Sequence, residues 1–266
     1  MPRCRAAVPG VAWCDVWGVR CAGRCVNTSA THAAAPSPAY LAVLRSPIGL
    51  GLATSLLLGA VIVTDVLSLA SGVHLYDLLR GVPDARAVLW TVPGVEERLR
   101  YYNLSGSLQS VFYLSTGIVY VCWLYRLRDN AEVFAPGTHR RGRGWTGWSW
   151  LIPVVNLWFP RRIHLDIWEA SRSTGPHSPD WPGRGLINLW WGFWVAEGFV
   201  ALAGGAVYDM AESVGPTNAG LGLLMLADVL DIVCAVLAIR LVRTLTHMQH
   251  IKARYGSTAQ EGEPRG

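Results

Sequence analysis

Four stretches of this chain, 47–69, 104–125, 186–208 and 220–242, each hold the roughly 20 predominantly apolar residues that a helix needs to cross a bilayer. No other feature narrows the fold as far. In hydrocarbon every backbone N–H and C=O must find a partner within the protein, and a helix meets that demand inside a single segment. Composition agrees: 52% of residues are hydrophobic and only 15% charged, where a soluble domain carries roughly a quarter charged residues. The expected fold is an all-α integral-membrane bundle of four helices, with the lipid bilayer as its first partner. The net charge of +5 comes from basic residues scattered around the apolar runs. That pattern marks orientation and not a phosphate-binding face, so no nucleic-acid partner is expected.

A fifth apolar segment, 145–160, is shorter. Sixteen helical residues rise about 24 Å against a hydrocarbon core of about 30 Å. Charge decides what it does. If only the four long runs cross, 19 Lys and Arg fall on one side and four on the other, and the excess marks the cytoplasm. A crossing at 145–160 would put the arginines at 140–143 and those at 161–162 in opposite compartments and erase most of that asymmetry. The segment is therefore expected to re-enter on its own side or to lie in the interface. Trp145, Trp148, Trp150 and Trp158 suit headgroup depth, and Pro153 interrupts the helix. Over 161–172, Ile163, Ile167, Trp168 and Ala170 share one helical arc while Arg162, Asp166, Glu169 and Arg172 share the other, which predicts an amphipathic helix on the cytoplasmic leaflet. Arg162 with Asp166 and Glu169 with Arg172 stand at ion-pair spacing. The organisation expected is a cytoplasmic leader and linker over 1–46, the membrane domain over 47–245 with an extracytoplasmic loop at 71–103, and a cytoplasmic tail over 246–266. Both termini then lie on the cytoplasmic side of the cell membrane.

The stretch "GWTGWSWLIPVVNLWFP" followed by "IWEAS" resembles a family of small bacterial, largely actinobacterial, membrane proteins that carry the domain of unknown function 4328. The residues that carry the resemblance are Trp145, Gly147, Trp148, Pro153, Asn156, Leu157, Pro160, Trp168, Ala170 and Ser171. It covers roughly residues 50–250. The resemblance implies four spans with a hydrophobic motif between the second and third, and no established activity. Arg161 and Arg162 stand where the family more often has an aromatic residue followed by Arg or Gln, and the first 46 residues lie outside the shared domain.

Three acids sit near the middle of the spans by counting: Glu197 in the third, and Asp228 and Asp231, one turn apart, in the fourth. Asp65 falls nearer the end of its run. Two readings of the three acids stand open: a proton or cation site between the third and fourth helices, or neutral acids hydrogen-bonded for packing. Small residues at four-residue steps, Gly51-Ser55-Gly59 and Glu197-Ala201-Gly205, predict close helix packing. Cys4, Cys14, Cys21 and Cys25 offer four thiolates, but only the last pair has knuckle spacing, so a zinc site and a plain leader both remain. Cys122 and Cys234 read as small buried side chains. The histidines, His164 among them, have no acidic partner at useful spacing and read as solvated. No G-x-S-x-G, H-E-x-x-H or G-x-x-x-x-G-K pattern occurs. A non-enzymatic protein is expected, one that organises or interacts with other membrane components, whether another membrane protein or a second copy. The alternative is a small proton or cation transporter or channel subunit using Glu197, Asp228 and Asp231.

Overall fold

The computed structural model describes residues 44–82, 92–172 and 184–261, with side chains to 254, and four short strands ahead of residue 21. Those strands, β1 (Arg5–Val8), β2 (Val11–Trp13), β3 (Asp15–Val16) and β4 (Val19–Arg20), pair as two antiparallel hairpins. Cys4, Cys14, Cys21 and Cys25 lie outside the described residues. The other regular elements among the described residues are helices: α1 (Ile48–Arg80), α2 (Val95–Phe134), α3 (Trp145–Leu151), α4 (Pro153–Asn156), α5 (Phe159–Ser171), α6 (Gly185–Asp209) and α7 (Val214–Glu261). Among these, α1, α2, α6 and α7 are long and apolar enough to cross a membrane.

Local sequence sets the boundaries. Gly94, at φ 84°, adopts the left-handed conformation that glycine alone takes without strain, and Glu96 and Glu97 follow in the first turn of α2, where the helix dipole favours negative charge. α2 stops where Pro136 keeps Ala135 out of helical geometry (φ −147°, ψ 77°). Ile152 is extended ahead of Pro153 for the same reason, and this breaks the insert into two short helices before α5.

The four long helices stand in the order α2, α1, α7, α6, each packed on the next, while α2 and α6 hardly meet. That leaves one open side. At one end of the bundle α3 to α5 fill it, with α5 touching α2, α6 and α7. At the opposite end an apolar cluster of Leu75, Leu79, Val95, Val214 and Leu221 holds the turns together. This cluster corrects the loop expected at 71–103. α1 continues to Arg80 and α2 already begins at Val95, because Leu75 and Leu79, one turn apart, give the extension an apolar face to bury. α2 and α7 likewise outrun their apolar runs at the other end.

The helix α5 also departs from expectation. Its apolar arc, Ile163, Ile167, Trp168 and Ala170, is buried against the other helices and is not free to lie on lipid. Glu169 pairs with Arg172 at 3.8 Å and with Arg184 at 2.8 Å, whereas Arg162 and Asp166 form no ion pair among the described residues. Cys234 is buried as expected, but Cys122 is exposed.

The small-residue stripes are partly displaced. Gly51 packs tightly, its missing Cβ lying 2.7 Å from Thr246 Oγ1, but Gly59 and Gly205 face open space. The tight α6–α7 contacts fall instead at Gly204 and at Gly220, where a Cβ would lie 2.7 Å from the backbone nitrogen of Tyr208. Gly220→Ala must therefore push the two helices apart. It is expected to lower stability by about 1–3 kcal/mol, read by thermal unfolding in detergent. Gly205→Ala should cost nothing measurable.

Candidate functional site

Midway along the bundle the three acids singled out from sequence come together with two residues that were not. Asp228, Asp231 and Glu197 line an open-sided cavity of about 790 Å³ between α2, α6 and α7, with Ser68 contributed by α1. In its wall Gln109 of α2 places its amide nitrogen between two carboxylates, donating to Asp65 Oδ1 at 2.7 Å and to Asp228 Oδ1 at 2.9 Å. Both protons of the amide are thereby used. Asp65 is fully buried and its second oxygen has no partner. Asp231 is 7% exposed, faces the cavity and makes no hydrogen bond among the described residues. No Lys or Arg occurs in 48–79, 101–125 or 185–239. Any negative charge on this cluster must be balanced from outside the chain, by a proton or by a cation.

Asp65 joins the cluster because α1 is longer than its most apolar run: within Ile48–Arg80 it sits at the centre, not near an end. Gln109 gave a weaker signal, a neutral amide in an apolar run. Among the described residues no three His, Cys, Asp or Glu side chains converge closely enough to hold a metal ion. The acids are spread along the cavity, not gathered into a cage.

The tryptophan-rich insert forms the floor of the open side. Trp150 stands between α2 and α6, its ring 5.8 Å from that of Tyr120 and 5.8 Å from that of Trp194. His164 packs against Trp190 at 4.9 Å and is fully buried, which corrects its reading as solvated. Its Nδ1 lies 2.7 Å from the Pro160 carbonyl, which can only accept, so Nδ1 carries the proton and Nε2 accepts from the Tyr120 hydroxyl at 2.8 Å. Burial pushes the His164 imidazole down from 6.5 to about 4. An unfolded chain therefore binds this proton more readily than the folded one, and the stability at stake, about 3 kcal/mol, is complete above pH 6.5 and is lost as pH falls toward 4. Replacing both partners, His164→Phe with Tyr120→Phe, should flatten stability across that window, read as thermal midpoints between pH 4 and 7.

Each residue of the sequence motif has a definable place. Trp145 meets Phe159 edge-on at 5.1 Å. A Cβ on Gly147 would lie 2.8 Å from the Tyr125 hydroxyl, so only glycine lets α3 approach α2 this closely. Trp148 is exposed, and Pro153 starts a new helical turn that ends at Asn156. The Leu157 carbonyl accepts from Trp191 Nε1 at 3.2 Å. Trp168 is buried in the core. The Ala170 carbonyl accepts from Lys252 Nζ at 2.7 Å, and Ser171 Oγ accepts from Gln249, which also meets Asn130 and the Leu127 carbonyl. Apart from the exposed Trp148, the motif is a lock: it ties α5 to α2, α6 and α7 through side chains and backbone carbonyls that pack or bond inward.

Residues 99–247 match the model of a domain of unknown function, DUF4328, over more than half of the chain. The chain belongs to the DUF4328 family. The matched span runs from the start of α2 through most of α7 and so contains Gln109, the whole insert, Glu197, Asp228 and Asp231. Neither a curated protein nor a solved structure matches the chain.

Proposed function

We propose that this DUF4328 chain is a non-enzymatic, multi-pass protein of a bacterial cell membrane that binds a proton or cation midway through the bilayer and passes it on, as a small transporter or channel subunit. The single observation behind this is the Gln109 bridge between Asp65 and Asp228 beside a carboxylate-lined cavity, with no basic side chain in the surrounding spans. Unpaired acids at that depth cost roughly 2.5–3.5 kcal/mol each on insertion scales, and such residues mark ion and proton pathways. The cytoplasmic face is the one that carries the insert and both termini, by the excess of basic residues there.

Flux into liposomes tests the reading. Wild type is expected to carry protons or monovalent cations down a gradient, and Glu197→Gln to reduce that flux at least tenfold. Absence of flux from both would retire it. A second reading, a scaffold for another membrane protein or a second copy of this chain, is supported by the tip of the insert. There Trp148, Leu151 and Val154 are each more than 60% exposed, an apolar surface that a partner helix would cover as readily as lipid.

A further inference from the structure

The volume of the cavity bears on what kind of cation it takes. About 790 Å³ is far more than a proton or a bare metal ion fills, and it falls within the 300–1,000 Å³ of sites that hold small organic molecules. Its lining is two-faced. Asp231, Glu197 and Asp228 lie along one part, and Tyr102, Tyr113 and Leu224 supply aromatic and aliphatic surface beside them. Asp231 is more than nine-tenths buried, faces the space and has no hydrogen-bond partner among the described residues, so one strong acceptor is left for a donor that the chain does not provide. Gln109 cannot serve, since its amide protons are engaged by Asp65 and Asp228.

The gap between the helices offers a way in from the side. The cavity opens between α2 and α6, the pair of long helices that hardly meet, and the insert closes the same gap only at its own end. The exposed surfaces of the two helices are those of lipid-facing helices: Val111 and Leu114 on α2 and Leu202 on α6 are all exposed. Ser107 and Ser110, on the α2 side of the mouth, return their hydroxyl protons to the carbonyls of Asn103 and Gly106, so that of the polar side chains lining α2 the exposed Asn103 amide is the one turned outward. A hydrated inorganic ion gains little from the apolar part of such a mouth. A molecule with an apolar body gains more.

We infer that the site binds an amphiphilic organic monocation, a lipophilic primary or secondary amine in its ammonium form, which enters from the bilayer between α2 and α6 and places its N–H groups on Asp231 and Glu197 while its body lies against Tyr102, Tyr113 and Leu224. The inference rests on the cation site proposed above and names its ligand class.

The test uses the full chain in phosphatidylcholine nanodiscs and a dansyl probe that carries one primary ammonium on a six-carbon chain, with its N-acetylated, neutral counterpart as the comparison. Empty nanodiscs give the partitioning background. Saturable binding of the ammonium probe is expected, at least tenfold tighter than that of the acetylated one, with at least a tenfold loss in Asp231→Asn. Ala201→Phe, which keeps every acid and fills the cavity from α6, is expected to lose binding to a similar degree while its thermal midpoint stays within a few degrees of wild type. If Asp231→Asn does not fold, Ala201→Phe still decides. Equal binding of the neutral probe, or unchanged affinity in Ala201→Phe, overturns the inference. Flux of protons or sodium that depends on Glu197, without saturable binding of the amine, overturns it too while leaving the cation site intact; loss of both removes both.

Discussion

Gln109→Leu is expected to destabilise the protein by about 3–5 kcal/mol, a fall of roughly 10 °C in the thermal midpoint for a chain of this size. The side chain is nearly the same volume, so packing is not the cause. The substitution strips two buried carboxylates of a shared donor at once: Asp65, which is fully buried, and Asp228, which is 7% exposed. A buried acceptor left without its partner costs about 1–3 kcal/mol, more when charged. The companion variant separates this account from a simple shape effect. If all three positions become apolar together, Asp65→Leu, Gln109→Leu and Asp228→Leu, no polar group is left stranded and most of the loss should return. A loss under 1 kcal/mol in the single variant, or no recovery in the triple, would mean that the bridge contributes little.

Trp168→Ala is the second large effect, at about 3–5 kcal/mol, the usual range for removing a buried aromatic side chain. Trp168 is 2% exposed and belongs to a core drawn from α2, α5, α6 and α7, among them Trp123, Leu127, Leu241 and Leu245. Its loss opens a cavity that rigid helices close only in part, and it loosens the one element that holds α2 and α6 at their fixed separation. Trp148→Ala provides the contrast. Trp148 is 62% exposed, so the same substitution there should change the midpoint by less than a degree or two. Thermal unfolding of both in one detergent checks the pair.

That contrast shows where the sequence was readable. Four apolar runs of spanning length, an insert too short to cross and three acids at mid-span are features of composition and counting, and each corresponds to something in the structure. Which tryptophan faces inward is a matter of packing. Trp148 and Trp168 stand in one motif and differ only in what surrounds them. The helix ends are not legible in hydropathy, because apolar runs stop where hydropathy falls, while α1 goes on to Arg80 on the strength of Leu75 and Leu79 meeting partners from α2 and α7. The same cut displaced Asp65 from the centre of its helix and so from the cluster. Gln109 leaves no comparable mark in the sequence, because an uncharged amide carries a much smaller insertion penalty than a carboxylate. His164 looked solvated because its partners, the Tyr120 hydroxyl and the Pro160 carbonyl, are not acids and leave no charge pattern. The apolar arc of α5 was legible, but periodicity does not say whether lipid or protein will cover it.

The cavity and the insert depend on each other. Without the wedge of Trp150, Trp168 and the Tyr120–His164 pair, α2 and α6 have nothing to hold them apart, and the acids would lie in a closed four-helix interface. Both therefore depend on the path of the chain through residues 145–160. Single cysteines at Thr138, Thr174 and Glu212, in a background free of the six native cysteines, can be treated in intact cells with a maleimide that does not cross the membrane. Labelling at Glu212, with Thr138 and Thr174 both protected until the cells are opened, is the result expected. Finding Thr138 and Thr174 in opposite compartments would contradict it, because the insert would then be a span.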